Sequence, residues 1–293
     1  MRQGILKKLE VATTKALVLE CTVPKPGNVS RYHDFPEQKF EHFLVSSIEL
    51  GAKLPGLAAK FSLGSAVLEG TRLMLEAQGG GNTHLGSILL LTPLLASAFR
   101  RNGKLDFEDV ERRIREATWK ETLKYVQAIR MTDFEKLPDI DGSLNVKSAG
   151  IESYVRKNRI GLYDWMLAGV PVNGICHEYT HCYALTRKTA EEITGNWEHG
   201  IEKAVQHGFL YALGNYVDNL VIGKKGLDYA LELQNEARKL HAERAVFAKP
   251  GSRSNDEFRQ LFEKLERDNV NPGTTADIIV AALFLVFLDG RKI

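Results

Sequence analysis

Lys25 stands between two prolines and just ahead of Gly27 in TVPKPGNVSRYHDF (22–35). Proline sets φ on both sides and glycine permits a tight bend, so a stiff loop presents the cation. Arg31, His33 and Asp34 follow within reach of the same site. Lysine and arginine offer charge to phosphates, Asp34 could hold Mg2+, and His33 could transfer a proton. The plain alternative is a solvent-exposed turn between helices. In GGGNTHLGS (79–87), three glycines precede Asn82, Thr83 and His84 and then a long apolar run. A flexible backbone there could approach an anion closely, and the first free N–H groups of the helix could receive it. Gly81, Asn82, Thr83 and Gly86 are the candidate nucleotide contacts. Asn82 and Thr83 could equally be simple helix caps, and no Walker A motif is present.

Two further stretches carry carboxylates. In GNYVDNLVIGKKG (214–226), Asp218 could bind a metal while Lys224 faces the phosphates of the same ligand. A cationic helix end with a glycine stop explains the same residues without a ligand. In NPGTTADIIV (271–280), Asp277 lies about two turns into an otherwise apolar helix. A buried carboxylate needs a hydrogen-bond partner or a metal. Residues 175–185, ICHEYTHCYAL, contain the zinc-protease pattern H-E-x-x-H as His177, Glu178 and His181. Two histidines at i and i+4 share a helical face, and the glutamate could activate a metal-bound water. A third ligand is wanting: Glu191 and Glu192 reach only by stretching, and Cys176 and Cys182 flank the pair. Ordinary helix packing is the favoured explanation, because such a motif arises easily by chance among eight histidines.

The elements that must position these residues are helical. Apolar residues Ile5, Leu9, Ala12, Ala16 and Leu19 recur at three- and four-residue steps, and VPKPGN ends that segment. Further helices are expected near 36–52, 62–78, 83–100, 106–130, 148–157, 161–168, 173–193, 197–221, 226–246, 253–268 and 274–289. Strand-like alternation is nearly absent, and the joints are short and rich in Gly, Pro, Asn and Asp. The longest irregular piece, 132–147, is where a lid could live. The expectation is an all-α fold, with residues 1–293 as one bundle domain of about ten to twelve helices.

Bulk properties narrow the function classes. The net charge is +2, from 39 basic and 37 acidic residues, so nothing calls for nucleic acid or an anionic membrane. Three scattered cysteines do not make a disulfide framework and point to a reducing cytoplasm. The first residues lack a signal peptide's apolar core. The greasiest stretches, 85–99 and 276–288, fall short of a membrane span and read as buried helices. Apolar helix faces could pair in a homodimer.

The order of the four polar stretches resembles the triphosphoribosyl-dephospho-coenzyme A synthase family. PKPGNVSR, GGNTHLGS, the Asp218 segment with its K-K-G turn, and NPGTTAD follow that family's T-P-K-P-G-x-V-D-R, G-x-N-T-H-x-G, D-T-N and S-P-G-G-S-A-D blocks. The resemblance spans roughly residues 20–280. It implies an all-helical transferase that takes ATP and 3′-dephospho-CoA. The acceptor's ribose 2′-hydroxyl attacks C1′ of ATP and adenine leaves, giving a 2′-(5″-triphosphoribosyl) product. Under this resemblance Lys25, Arg31 and Lys224 are the candidate cations for the triphosphate, and the 79–86 loop supplies backbone donors. Asp34, Asp218 and Asp277 are the candidate Mg2+ ligands. Glu20 or Asp218 could stabilise an oxocarbenium-like C1′, and His84 or His33 could protonate the departing adenine. The chain departs from the pattern where V-D-R reads Val29-Ser30-Arg31, where Leu85 replaces a cation, and where D-T-N reads Asp218-Asn219-Leu220, as in a divergent member. The other readings are a related Mg2+-dependent enzyme with a different phosphorylated acceptor, and a zinc hydrolase using HEYTH.

Overall fold

The computed structural model describes residues 2–79, 81–139 and 142–292. Gly80 of the glycine triplet and Ile140 and Asp141 of the long loop lie outside the described residues, as do both chain ends. The helices in chain order are α1 (Arg2–Thr22), α2 (Phe40–Lys60), α3 (Leu63–Gln78), α4 (Leu85–Arg100) and α5 (Phe107–Glu116). Then come α6 (Trp119–Arg130), α7 (Ile151–Asn158), α8 (Leu162–Gly169), α9 (Gly174–Thr180) and α10 (Ala184–Gly195). The last five are α11 (Ile201–Asn215), α12 (Asn219–Lys225), α13 (Leu227–Ala242), α14 (Arg253–Arg267) and α15 (Gly273–Leu288). No strand occurs among the described residues.

The all-α expectation holds, but fifteen helices replace about twelve because three expected segments each break in two. The run 106–130 breaks at Ala117, whose carbonyl accepts from the Leu162 N–H (2.9 Å) instead of continuing the helix. The run 173–193 breaks at Cys182 and Tyr183, both at positive φ (53° and 57°). The run 197–221 breaks at Asp218, which caps a new helix rather than ending an old one. None of these breaks carries a glycine or proline, so composition gave no warning of them.

The two greasiest stretches become α4 and α15, which pack on each other inside a ring formed by α1, α2, α3, α10 and α11. Both have nearly every side chain buried. Among the described residues no helix is long and apolar enough to cross a membrane. Pro93 inside α4 has no N–H for the Leu89 carbonyl. The hydroxyl of Tyr179, itself paired to Tyr125 (2.9 Å), donates to that carbonyl at 2.5 Å, and Tyr183 donates to the next one, at Leu90 (2.9 Å). The segment after α8 is thereby anchored to the central helix through its tyrosines.

Candidate functional site

The N-terminus of α15 is where the four polar stretches meet. Asn28 donates to the Asn271 side chain (2.7 Å) and, more loosely, to the Pro272 carbonyl (3.3 Å). Gly27, at φ +75°, lies so close to the Val270 carbonyl that any Cβ would collide with it. Thr274 donates to the Asn219 side chain (2.6 Å). Thr275 donates twice to Asp218 Oδ2, from its N–H (2.7 Å) and its hydroxyl (2.8 Å). Ser87, in the first turn of α4, donates to Asp277 Oδ1 (2.6 Å), and a Cβ on Gly86 would overlap the Asp277 carboxylate. Segments separated by up to about 250 residues of chain are thus joined side chain to side chain.

These joints frame a cleft of about 680 Å3. Its polar lining includes Glu20, Asn28, Asn82, Thr83, His84, Lys224, Asn271 and Asp277. Its apolar lining includes Phe35, Phe43, Phe134 and Leu137. Residues Thr132 to Leu137 belong to the long loop, so the start of the segment expected to hold a lid forms one wall. The first turns of α4 and α15, helices of sixteen residues each, both open onto the cleft. Two converging helix N-termini bring partial positive charge to one space, which suits an anionic ligand, although the Leu85 and Thr275 N–H groups are already taken by Asn82 and Asp218.

Glu20 is buried near the end of α1 and ion-paired with buried Lys25 at 3.0 Å. The Lys25 ammonium also donates to the backbone carbonyls of Glu20 and Val23. Its three N–H bonds are therefore spent inside the protein, and it does not line the cleft. The structure corrects the expected phosphate contact by Lys25: its place is beneath the site, holding Glu20.

His84 is buried at the N-cap position of α4, its Nε2 lying 3.2 Å from the Phe43 carbonyl and 3.0 Å from the Ser47 hydroxyl. A carbonyl oxygen only accepts, so Nε2 carries the proton and the lone pair resides on Nδ1. Burial lowers the His84 pKa below its ordinary 6.5, with the Glu20 charge opposing. The imidazole is neutral at pH 7, which suits a proton acceptor and not the acid expected from the sequence. Asp277, in the second turn of α15, has its pKa pushed up to about 8, first by burial and then by the charges of Glu20 and Asp218. Among nearby donors, Asn82 caps α4 by accepting from the Leu85 N–H (3.0 Å), and the Thr83 hydroxyl bonds that of Ser46 (2.9 Å).

Several expected site residues stand elsewhere. Both oxygens of buried Asp218 are filled, Oδ1 by the N–H groups of Leu220 (2.9 Å) and Val221 (3.3 Å), Oδ2 by Thr275. That leaves no lone pair for a metal. Asp34 accepts from the Phe40 N–H (2.8 Å) at the start of α2 and does not line the cleft. Asp34, Asp218 and Asp277 therefore do not form a common metal cluster among the described residues. Arg31 is exposed over the Tyr32 ring, and His33 lies by Glu266 (3.6 Å) against Phe35, both off the cleft lining. Gly81, at φ +86°, shapes the loop before α4 without lining the cleft, whereas Gly86 does line it. Lys224 lines the mouth over the Phe35 ring (5.7 Å). Sequence reasoning missed Asn28, the Phe35–Phe43 wall and Asn271; only Asn28 and Asn271 carried a signal, each being an Asn beside a Pro-Gly pair.

HEYTH is not arranged as a zinc-protease site. Helix α9 ends at Thr180, and His181 stacks on His177 (ring centroids 4.0 Å). Glu178 is fully buried and caps α10, accepting from the N–H groups of Leu185 (3.1 Å) and Thr186 (2.7 Å). The carboxylate a zinc protease needs for water is committed to a helix end, and among the described residues no metal cluster includes the pair.

The sequence model of the ATP:dephospho-CoA triphosphoribosyl transferases (CitG) matches residues 6–292. Among solved structures, a protein from Archaeoglobus fulgidus provisionally described as a triphosphoribosyl-dephospho-coA synthase superposes with a TM-score of 0.66 at 25% identity. The match covers 85% of this chain and 100% of that one. No curated protein matches the chain.

Proposed function

Because the chain belongs to the ATP:dephospho-CoA triphosphoribosyl transferase family, its reaction is transfer of the triphosphoribosyl group of ATP to dephospho-CoA, and we propose that Glu20, His84 and Asp277 on the cleft floor carry it. The observation behind this reading is the convergence of four chain-distant stretches on α15, with these three groups facing one cleft.

In the reaction the bond from C1′ to adenine breaks and a bond from the acceptor hydroxyl oxygen to C1′ forms. Positive charge builds on C1′ as in glycoside cleavage, and an ionised carboxylate beside it stabilises that charge. Glu20 fills that role, held by the buried Lys25 pair. The acceptor hydroxyl gives up one proton and adenine takes one, so the transfer is proton-neutral overall. Neutral His84, with its lone pair on Nδ1, accepts the hydroxyl proton. The first turns of α4 and α15, with Lys224 at the mouth, receive the triphosphate. Phe35, Phe43 and Phe134 offer faces for an adenine ring.

Mg2+ fits the carboxylate oxygens of this floor: burial first, and then the charges of Glu20 and Asp218, favour the protonated Asp277 carboxyl, and a bound cation would offset both. Asp277, with Glu20 beside it, would hold the ion, which when bound neutralises phosphate charge. The free thiols of Cys21, Cys176 and Cys182 suit a reducing, cytoplasmic setting.

The test is a chromatographic assay for free adenine from protein, ATP, Mg2+ and dephospho-CoA. Wild type releases adenine in step with acceptor consumption. Glu20→Gln, His84→Asn and Asp277→Asn each lower kcat by roughly 100-fold or more. Undiminished turnover in Glu20→Gln would remove the carboxylate from the mechanism.

A further inference from the structure

Glu192, which sequence reasoning could attach to the HEYTH histidines only by stretching, points to a different pair. Its Oε2 lies 3.4 Å from His207 Nε2 and 3.4 Å from His241 Nε2. The three ligand atoms all fall within 4.8 Å of one another, and among the described residues this is the one cluster of its kind. Each residue comes from a different helix: α10, α11 and α13. None of the three lines the catalytic cleft.

A separation of 3.4 Å is long for an N–H···O bond to a carboxylate, which closes to about 2.7–2.9 Å when the donor is charged. It is the edge expected between ligands at about 2.0–2.1 Å from a tetrahedral zinc, roughly 3.3–3.4 Å. His207 is buried and its ring stacks on His241 (centroids 4.2 Å). Such an imidazole is poorly explained as a solvated surface group. Glu192 and His241 are partly exposed, which gives an ion a route in. Arg244, a neighbouring cation, donates to the Asn196 side chain (2.8 Å).

We propose that Glu192, His207 and His241 form a binding site for one divalent transition-metal ion of the zinc type, outside the cleft and pinning α10, α11 and α13 together. Two imidazoles and one carboxylate favour zinc-like ions over Mg2+, which prefers an all-oxygen shell. Water fills the remaining coordination position.

Equilibrium dialysis of the chelator-treated full chain against Zn2+ tests this, with Mg2+ present as competitor. One zinc per chain is expected to remain. His241→Ala and Glu192→Gln, whose helical circular dichroism should match wild type because both side chains are partly exposed, should each weaken zinc binding by roughly 100-fold. The double variant His177→Ala/His181→Ala should bind zinc as wild type does. Co2+ loaded in place of zinc should show tetrahedral visible bands without a thiolate charge-transfer band, since no cysteine belongs to the set. No retained zinc, zinc retained unchanged in His241→Ala and Glu192→Gln, zinc lost in the His177/His181 variant, or a thiolate band in the Co2+ spectrum overturns the proposal.

Discussion

His84 enters α4 with its ring buried and its proton fixed on Nε2 by a carbonyl. Its lowered pKa gives a pH dependence with a definite sign. In the unfolded chain the imidazole protonates near 6.5, whereas in the fold it resists until lower pH. Its contribution to stability is therefore fully present above 6.5 and is lost as pH falls through the lower folded value. The same group serves as proton acceptor, so kcat/KM should also fall on that acid side. In His84→Asn the pH–rate profile should lose this limb and thermal stability should fall less steeply below pH 6.5; an unchanged limb would assign the titration to another residue. Lys25 makes a second prediction. Replacing it with Met leaves Glu20 buried and unpaired, which costs about 3–5 kcal/mol in urea denaturation. A solvent-facing, phosphate-binding lysine would cost almost nothing there. The motif was legible at this position, but the direction of its side chain was not, because only the fold shows that the carbonyls of Glu20 and Val23 turn back toward the ammonium.

Asp218 belongs to the scale of elements. As N-cap of α12 it satisfies two N–H groups of that helix, and through Thr275 it locks α12 to the first turn of α15. Asp218→Ala removes a cap worth about 1 kcal/mol and strands the buried Thr275 N–H, worth about 1–3 kcal/mol. The expected loss is about 2–4 kcal/mol by denaturant titration, with residual activity following the folded fraction. Loss of metal affinity without loss of stability would restore its reading as a ligand. Helix existence was readable from three- and four-residue apolar steps, and twelve segments were placed. The three missed breaks depend on partners far along the chain, such as Leu162 for Ala117 and Thr275 for Asp218. Local propensity contains no information about such partners.

At the scale of the whole molecule, the cleft exists because α15 gathers the loops before α2, α4 and α12 around its N-terminus. Its remaining wall is the segment Thr132–Leu137, whose Phe134 and Leu137 line the cleft. Phe134→Ala should raise KM for ATP about tenfold, the loss of one aromatic contact, while kcat changes little. A fall in kcat at constant KM would place Phe134 in the chemical step. The sequence by itself determined that the chain is helical, that α4 and α15 are buried, that its polar stretches follow the order of one transferase family, and that Glu20, His84 and Asp277 are candidates. Periodicity and motif order are local or linear properties, and they survive in one dimension. Only tertiary structure decided which polar residues face the cleft, which are consumed beneath it as Lys25 and Asp218 are, and that Glu192 meets His207 and His241 rather than HEYTH. A side chain's role is set by the groups that compete for its hydrogen bonds, and most of those lie tens to hundreds of residues away in the chain.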